Sequence, residues 1–135
     1  MTRTPTRILA TALAVAVALA LVACTAATGG LTGKAWQWTG STMAGAETIA
    51  DPTGYTVQLA DDGTFAAKAD CNQVSGDYTT TGSTITITPG PSTLAMCAEG
   101  SLGDAFVAGL GQATSWTVVD GTLTLTGSEG ALTFR

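Results

Sequence analysis

Short runs of alternating apolar and polar residues recur along the chain from about residue 31 onwards. A period of two residues is typical of antiparallel strands that bury one face. The apolar residues that share a face within each run are Trp36 and Trp38; Tyr55, Val57 and Leu59; Phe65, Ala67 and Ala69; Ile85 and Ile87; Trp116 and Val118; Leu123 and Leu125; and Leu132 and Phe134. The sequence therefore predicts a mainly β domain with these residues in its core.

Turn residues separate the runs. Asp62-Gly63 and Asp120-Gly121 are strong hairpin signals, and Thr81-Gly82 and the stretch 127–130 are weaker ones. These breaks divide the domain into about seven or eight strands. The stretch 41–54 has no period and is predicted to be an irregular loop.

One segment, from Ser101 to Gly111, follows a helical period instead. Its apolar positions are Leu102, Ala105, Phe106 and Leu110. Ser101 and Asp104 have the spacing of a capping box, so we expect one helix that packs across the sheet. Gly103 and Gly109 lower its intrinsic stability by about 1 kcal/mol each relative to alanine, and the helix is therefore predicted to depend on packing.

The first 24 residues have the organisation of an export signal. Arg3 and Arg7 precede an uncharged apolar run, residues 8–22, which is shorter than the roughly 20 residues of a membrane-spanning helix. Leu-Val-Ala-Cys at 21–24 then resembles the bacterial lipobox, in which the cysteine receives a lipid and a signal peptidase cleaves before it. A retained membrane anchor is the alternative interpretation.

Lipidation predicts a simple domain organisation. Residues 1–23 are expected to be a lipoprotein signal peptide, and residues 24–30 the lipidated Cys24 with a flexible tether. Residues 31–135 have the length of one folded domain. We therefore expect an exported protein at the cell envelope, attached to the membrane through covalent acyl chains such as palmitate on Cys24.

The charge of the mature chain limits its partners. Removing residues 1–23 lowers the basic residues from five to three and keeps all ten acidic ones, so the formal charge changes from −5 to −7. Lys34, Lys68 and Arg135 are the remaining cations, and there is no His. Such a chain cannot neutralise a row of phosphates, which excludes nucleic acid as a partner. Its acidity also disfavours anionic lipid headgroups, which leaves the covalent lipid as the membrane attachment.

Cys71 and Cys97 are the two cysteines that remain beside Cys24. In an oxidising compartment an even pair of thiols tends to form a disulfide. Closing this loop of about 27 residues is expected to stabilise the fold by about 3–4 kcal/mol in the chain-entropy model. The spacing is not that of a Cys-x-x-Cys redox motif, and no His or further cysteine completes a zinc site. We therefore predict neither a metal nor a cofactor.

Four segments, in the expected order along the chain, resemble the META/HslJ-like domain. Asp-Cys-Asn-Gln-Val-Ser-Gly-Asp-Tyr at 70–78 resembles that family's Cys-Asn-x-x-Ser-Gly-x-Tyr motif, and Thr-Leu-Ala-Met-Cys at 93–97 resembles its Thr-x-x-x-Cys motif. Residues 31–36 are similar to the opening Leu-x-Gly-x-x-Trp strand, and residues 121–134 to the closing Leu-x-Leu hairpin. The chain departs from the pattern at two positions: Val74 stands where an aromatic residue is usual, and Leu94 where a basic residue often occurs.

The resemblance implies an α+β fold, an antiparallel sheet curled into a partial barrel with one helix packed across it. It implies no catalytic function, because the family has no accepted active site. Family members occur as envelope lipoproteins and are linked to heat induction, antibiotic tolerance and secretion, and the fold is similar to that of secretin-pilot lipoproteins, which hold an acyl chain or a partner segment. We therefore expect a non-enzymatic envelope module that binds a partner protein or a hydrophobic ligand in a stress or envelope-maintenance role.

The alternative function is an envelope hydrolase with an unrecognised carboxylate site. Without His, the Ser-His-Asp and Cys-His arrangements are impossible, and neither lysine of the mature chain has a Ser-x-x-Lys context. The carboxylates considered for such a site, or for calcium, are Asp61, Asp62 and Asp70. Asp61-Asp62-Gly63 is also the composition that a tight turn selects.

Four apolar residues are candidates for a ligand-facing mouth of the barrel: Trp38, Trp116, Leu102 and Phe106. They would form an acyl slot if the barrel were open, whereas aromatic residues at strand spacing are also typical of a core. Other residues of the family motif are expected to have structural roles. Asn72 is expected to cap a turn by bonding local backbone, Ser75-Gly76 to mark a bulge or close backbone approach, and Tyr78 to bury its ring.

Replacing Cys24 with Ser is expected to release the protein or stall its processing, because the acyl chains are attached to the cysteine sulfur. Intact mass of membrane-extracted protein measures this: the native chain should begin at Cys24 and carry the mass of its lipid. Cys71→Ser, which leaves the lipobox intact, is the control. A Cys24→Ser protein that stays membrane-bound and is processed at the normal rate would contradict lipidation.

Overall fold

A computed structural model describes residues 30–135. The predicted signal peptide, Cys24 and all of the tether before Gly30 lie outside these residues. The elements in chain order are β1 (Ala35–Ser41), a 3₁₀ helix (Pro52–Gly54), β2 (Tyr55–Leu59), β3 (Thr64–Ala69), β4 (Asn72–Thr81), β5 (Thr84–Ser92), α1 (Gly103–Gln112), β6 (Ala113–Val119), β7 (Thr122–Gly127) and β8 (Gly130–Phe134). No helix between residues 30 and 135 is both long and apolar enough to cross a membrane.

Each strand pairs antiparallel with the next, and β8 returns to pair with β1. Trp36 lies opposite Val57 in the first ladder, and Leu123 lies opposite Phe134 in the last. The mainly β class, the strand number and the single helix are therefore confirmed. The ring of eight strands is closed, however, and not the partial barrel that the resemblance implied.

The shortest ladder of the closed ring is the one between β5 and β6. Thr84 and Ser115 are the residues paired there, and the Trp116 N–H donates to the Ser83 carbonyl oxygen at 2.9 Å. The helix α1 connects these two strands and packs along β5. It thereby covers the part of β5 that β6 does not reach.

Much of the core consists of the alternating residues that the sequence pattern predicted to be buried. Trp36, Trp38, Val57, Leu59 and Phe134 are all fully buried or nearly so. Trp116 and Val118 are half-buried and pack against this core from β6. An eight-stranded barrel has an interior just wide enough for side chains to fill it, and here they do.

The helix begins one residue later than the predicted cap at Ser101 requires, and it has no capping box. Its N-cap is Leu102, which makes no side-chain cap bond, while the Ser101 hydroxyl accepts a hydrogen bond from the Gly103 N–H at 3.2 Å. The capping prediction was wrong because Ser101 lies one residue before the cap and bonds as a local turn residue. The predicted apolar stripe is present, with Phe106 and Leu110 fully buried.

Two of the three helix glycines allow α1 to approach the barrel closely. A Cβ at Gly109 would lie 2.9 Å from Leu132 Cδ1 and 3.0 Å from Met43 Sδ, and one at Gly103 would lie 3.0 Å from the Ala69 carbonyl oxygen. These glycines lower the helix propensity, yet they remove the side chains that would hold the helix away from its packing partners. Packing against the barrel therefore offsets the helix propensity that is lost at these two glycines.

Alternating strand directions place every connection at one of two ends of the barrel. The tether end receives the N-terminal approach, residues 30–34, and the turns at 60–63 and 120–121. There the Trp36 Nε1–H donates to the Leu31 carbonyl oxygen at 2.8 Å. The opposite end, called the strap end, carries the loop at 42–54 and the connection between β5 and α1.

The loop between β1 and the 3₁₀ helix is irregular, as predicted. A single bridge links Gly40 and Thr48. Met43, Ala46 and Ile49 nevertheless join the buried core. The loop therefore closes the barrel interior at the strap end.

The expected bulge and close backbone approach are both present at Gly76. The register of β4 against β5 shifts between Val74 and Gly76, and Gly76 lies opposite Pro89. A Cβ at Gly76 would collide with the Thr88 carbonyl oxygen and lie 2.7 Å from Phe65 Cε1. Only glycine fits at this position without a shift of the β5 backbone.

Gly76→Ala is expected to lower the free energy of unfolding by about 1–3 kcal/mol, because the added methyl group overpacks a site that backbone atoms close. Urea unfolding monitored by tryptophan fluorescence measures the change. Gly54→Ala is the matched control, since a Cβ at Gly54 would meet nothing within 4 Å. Equal effects of the two substitutions would contradict the close approach at Gly76.

Candidate functional site

Trp38 and Phe106, two of the predicted ligand-facing residues, lie together inside the barrel. Their rings stack with centroids 5.2 Å apart, and Tyr55 meets Trp38 edge-on at 5.6 Å. Trp38 and Phe106 are both fully buried. The Trp38 Nε1–H has no hydrogen-bond partner among residues 30–135. The structure thus places both residues in the packed core and not at an open mouth.

The other two predicted residues lie at opposite ends of the barrel, and Leu102 adjoins the buried pair because its carbonyl oxygen accepts from the Phe106 N–H at 2.8 Å. Leu102 is half-buried at the strap end, where its N–H donates to the Tyr55 hydroxyl at 2.9 Å. Trp116 lies on β6, and its Nε1–H donates to the Gly82 carbonyl oxygen at 3.1 Å in the β4–β5 turn. The four residues therefore do not form one mouth. The sequence pattern did not reveal this, because it does not show which strands and loops adjoin in space.

The candidate carboxylates lie at opposite ends of the barrel. Asp61 and Asp62 belong to the β2–β3 turn at the tether end, whereas Asp70 belongs to the β3–β4 turn at the strap end. Hydrogen bonds from the Thr64 hydroxyl (2.6 Å) and N–H (2.9 Å) hold the pKa of the Asp62 carboxyl below its usual value. Burial, together with the charges of Asp61 and Asp62, raises the pKa of Tyr78. Within residues 30–135 no group of three or more His, Cys, Asp or Glu residues could hold a metal ion.

The feature that stands apart from the barrel is the segment 93–100, which we call the strap. It follows β5 and crosses the strap end towards α1. A disulfide joins Cys71, in the β3–β4 turn, to Cys97 of the strap, with their Cα atoms 5.5 Å apart. The two cysteines of the sequence motifs are therefore paired, and the bond fastens the strap to the barrel.

Asn72 fastens the strap a second time. Its Oδ1 accepts hydrogen bonds from the Ala95 N–H at 2.7 Å and the Thr93 hydroxyl at 3.0 Å, and its Nδ2–H donates to the Ala95 carbonyl oxygen at 3.0 Å. The Thr93 N–H donates to the Gln73 carbonyl oxygen at 3.0 Å, and the Gln73 N–H donates to the Thr93 hydroxyl at 2.9 Å. Asn72 bonds backbone, as expected, but the partner is 23 residues away and not local. The side-chain amide thus takes the place that a neighbouring strand would occupy.

The strap presents two large apolar side chains to solvent. Leu94 is 94% exposed and Met96 is 99% exposed. They alternate with Thr93, Ala95 and Cys97, which contact the β4 side, and a period of two is that of extended chain. Between the strap and α1 lies a groove of about 330 Å³. Its lining includes Val74, Val107 and Asp104.

Sequence reasoning missed Leu94 and Met96 as surface residues. A signal was present, since both are apolar at alternate positions in a segment that belongs to no predicted strand. The family comparison drew attention to Leu94 only because a basic residue often occurs there. Alternation alone could not tell a buried face from an exposed one.

Comparisons with known proteins support this fold. Residues 30–135 match a family model described as META domain. A crystal structure of a DUF4847 family protein from Bacteroides vulgatus is 15% identical with a TM-score of 0.57, covering 77% of this chain and 92% of that one. An NMR structure of a protein from Burkholderia xenovorans is 18% identical with a TM-score of 0.61, covering 78% of this chain and 82% of that one. No curated protein matches the chain.

Asn72→Ala is expected to free the strap from β4 while leaving the disulfide intact. The Ala95 amide, which donates to Asn72 Oδ1 in the native protein, should then exchange with solvent about fivefold faster or more, because a hydrogen bond worth about 1 kcal/mol is lost. Hydrogen exchange followed by NMR measures this. Gln73→Ala is the control, since the backbone bonds of Gln73 to Thr93 survive it. Unchanged exchange at Ala95 in Asn72→Ala would contradict the role assigned to Asn72.

Proposed function

Because this chain belongs to the META domain family, we propose that it is a non-enzymatic binding module of the cell envelope. It is exported, anchored by lipid on Cys24, and recognises a partner protein through the strap. A stress or envelope-maintenance role accords with the resemblance to envelope lipoproteins of this family. The observation that carries the proposal is the exposure of Leu94 and Met96 on a segment that is covalently held.

Single exposed apolar side chains are common on soluble proteins, so exposure alone is weak support. Two large ones at alternate positions on a braced segment are a stronger sign of an interaction site. Because Cys97 and the contacts of Asn72 hold the strap in place, little conformational entropy is lost when a partner binds it. The strap is therefore a preorganised contact.

The barrel interior favours a partner protein over a hydrophobic ligand held inside. Trp38, Phe106 and Phe134 are fully buried and in contact through their rings or a shared neighbour. An acyl chain would have to displace this packing, and large-to-small changes in such cores cost several kcal/mol. Recognition at the outer surface requires no such displacement.

The position of the strap also fits a membrane-anchored protein. Residues 30–34 approach the barrel at the tether end, so a lipid on Cys24 would place the bilayer on that side. The strap lies at the opposite end. It would therefore face away from the membrane, towards other proteins of the envelope.

A photo-crosslinking amino acid at position 94 in living cells is expected to give a defined adduct with a partner protein, because Leu94 is almost completely exposed. The same label at Val119, which is 63% exposed at the tether end, is the matched control and should give none of that adduct. The double substitution Leu94→Ser and Met96→Ser should abolish co-purification of the partner, whereas Val119→Ser should not. Adducts that form equally at positions 94 and 119, or a partner retained by the double variant, would contradict recognition through the strap.

A further inference from the structure

We propose that the strap binds an extended, basic segment of the partner by β-strand addition along its outer edge. This inference rests on the proposed function and specifies how recognition occurs. Three observations support it: the hydrogen bonding of the strap backbone, the two apolar side chains, and the distribution of charge.

The strap has one satisfied edge and one open edge. Thr93 and Ala95 direct their backbone groups towards Gln73 and Asn72, where they form hydrogen bonds. In an extended chain the alternate residues, here Leu94 and Met96, direct their N–H and C=O groups to the opposite edge. Within residues 30–135 the backbone N–H and C=O of Leu94 and Met96 have no hydrogen-bond partner. Such an edge is a template for another strand.

The side chains beside this edge provide the apolar contact. Leu94 and Met96 project on the same face, since they are two residues apart in extended chain. A strand paired with the open edge would place its alternate side chains next to them. Burial of these two side chains would favour binding and offset part of the entropy lost on association, and the main-chain hydrogen bonds would define the register.

The charges near the strap favour a basic segment. Asp104 lines the groove, Glu99 belongs to the strap, and Asp70 precedes Cys71. Of the cations, Lys34 lies at the tether end, over the Trp36 ring at 3.8 Å. Lys68 lies at the strap end, where its Nζ–H donates to the Thr53 carbonyl oxygen. Lysine or arginine in the added segment would therefore meet three carboxylates and one lysine.

The same charges decide against two other occupants. Residues 30–135 contain three basic and ten acidic residues, a formal charge of −7, so a second copy would bring two acidic surfaces together. An anionic membrane surface would be repelled for the same reason. A basic, extended protein segment is the occupant that fits both the open edge and the charge.

Four synthetic probes test this with the full-length protein in detergent. The first is a blocked eight-residue peptide that alternates Val and Lys, and the second replaces Lys by Glu. The third and fourth are the Val-Lys peptide with its odd-numbered or its even-numbered backbone nitrogens methylated, which are the two possible registers. Fluorescence anisotropy should show binding of the first probe that weakens with salt, and no comparable binding of the second. Methylation on the pairing edge should weaken binding about tenfold or more, because at least one hydrogen bond is removed. On binding, the amides of Leu94 and Met96 should become protected from exchange.

Two variants separate the backbone contribution from that of the side chains. Leu94→Pro removes an outer-edge N–H and is expected to keep the inner-edge bonds of Thr93 and Ala95, which protection of the Ala95 amide verifies. Leu94→Ala keeps the N–H and removes most of the side chain. Strand addition predicts that Leu94→Pro weakens the first probe more than Leu94→Ala does.

The outcomes that overturn this inference differ from those that overturn the proposed function. If both N-methylated registers bind as tightly as the parent peptide while the crosslink at position 94 persists, strand addition is wrong and the strap is still the recognition site. If the Glu peptide binds as well as the Lys peptide, the assigned charge of the partner is wrong. A concentration-dependent dimer in sedimentation that Leu94→Pro abolishes would identify a second copy as the occupant. Flotation with anionic vesicles by Cys24→Ser protein, lost in Leu94→Ser, would identify a lipid surface.

Discussion

The stacking of Phe106 on Trp38 is the contact on which the rest of the structure depends. Phe106 lies on α1 and Trp38 on β1, and both are fully buried. Because β1 lies across the ring from β5, this contact holds the helix to the far side of the barrel from the strand that precedes it. The helix glycines allow that approach, and the position of the helix sets where the strap must end. Core packing thus determines the position of a surface segment that is not itself in the core.

The strap is ordered by covalent and polar contacts because it has little apolar burial of its own. The Cys71–Cys97 disulfide limits how far it can move, and the Asn72 amide pairs with its backbone as a strand would. Leu94 and Met96 are left in water, which opposes folding of this segment unless other contacts compensate. A disulfide worth about 3–4 kcal/mol in the chain-entropy model is large enough to do so. The same bracing that the fold requires therefore preorganises the surface.

The two ends of the barrel carry different residues because successive antiparallel strands run in opposite directions. With eight antiparallel strands, β1 begins and β8 finishes at the same end, and the N-terminal approach is separated from the strap by the length of the barrel. Asp61 and Asp62 occupy turns at one end and Asp70 a turn at the other. Carboxylates that are close in the sequence are consequently kept apart, while Asn72 and Ala95, 23 residues apart, are brought together.

The sequence alone determined the class of fold, the strand positions and most of the core, because a period of two residues records which side of each strand is buried. It also determined the bulge at Gly76 and the turn at Asp62-Gly63, where local backbone geometry selects the residue type. It did not determine closure of the ring, the start of α1 after Ser101, or the exposure of Leu94 and Met96. Those depend on which elements adjoin in space: β8 had to meet β1, and the strap had to be held by Asn72 with its apolar side chains outward. Contacts between residues distant in the chain leave no periodic signal, so only the tertiary structure decided them.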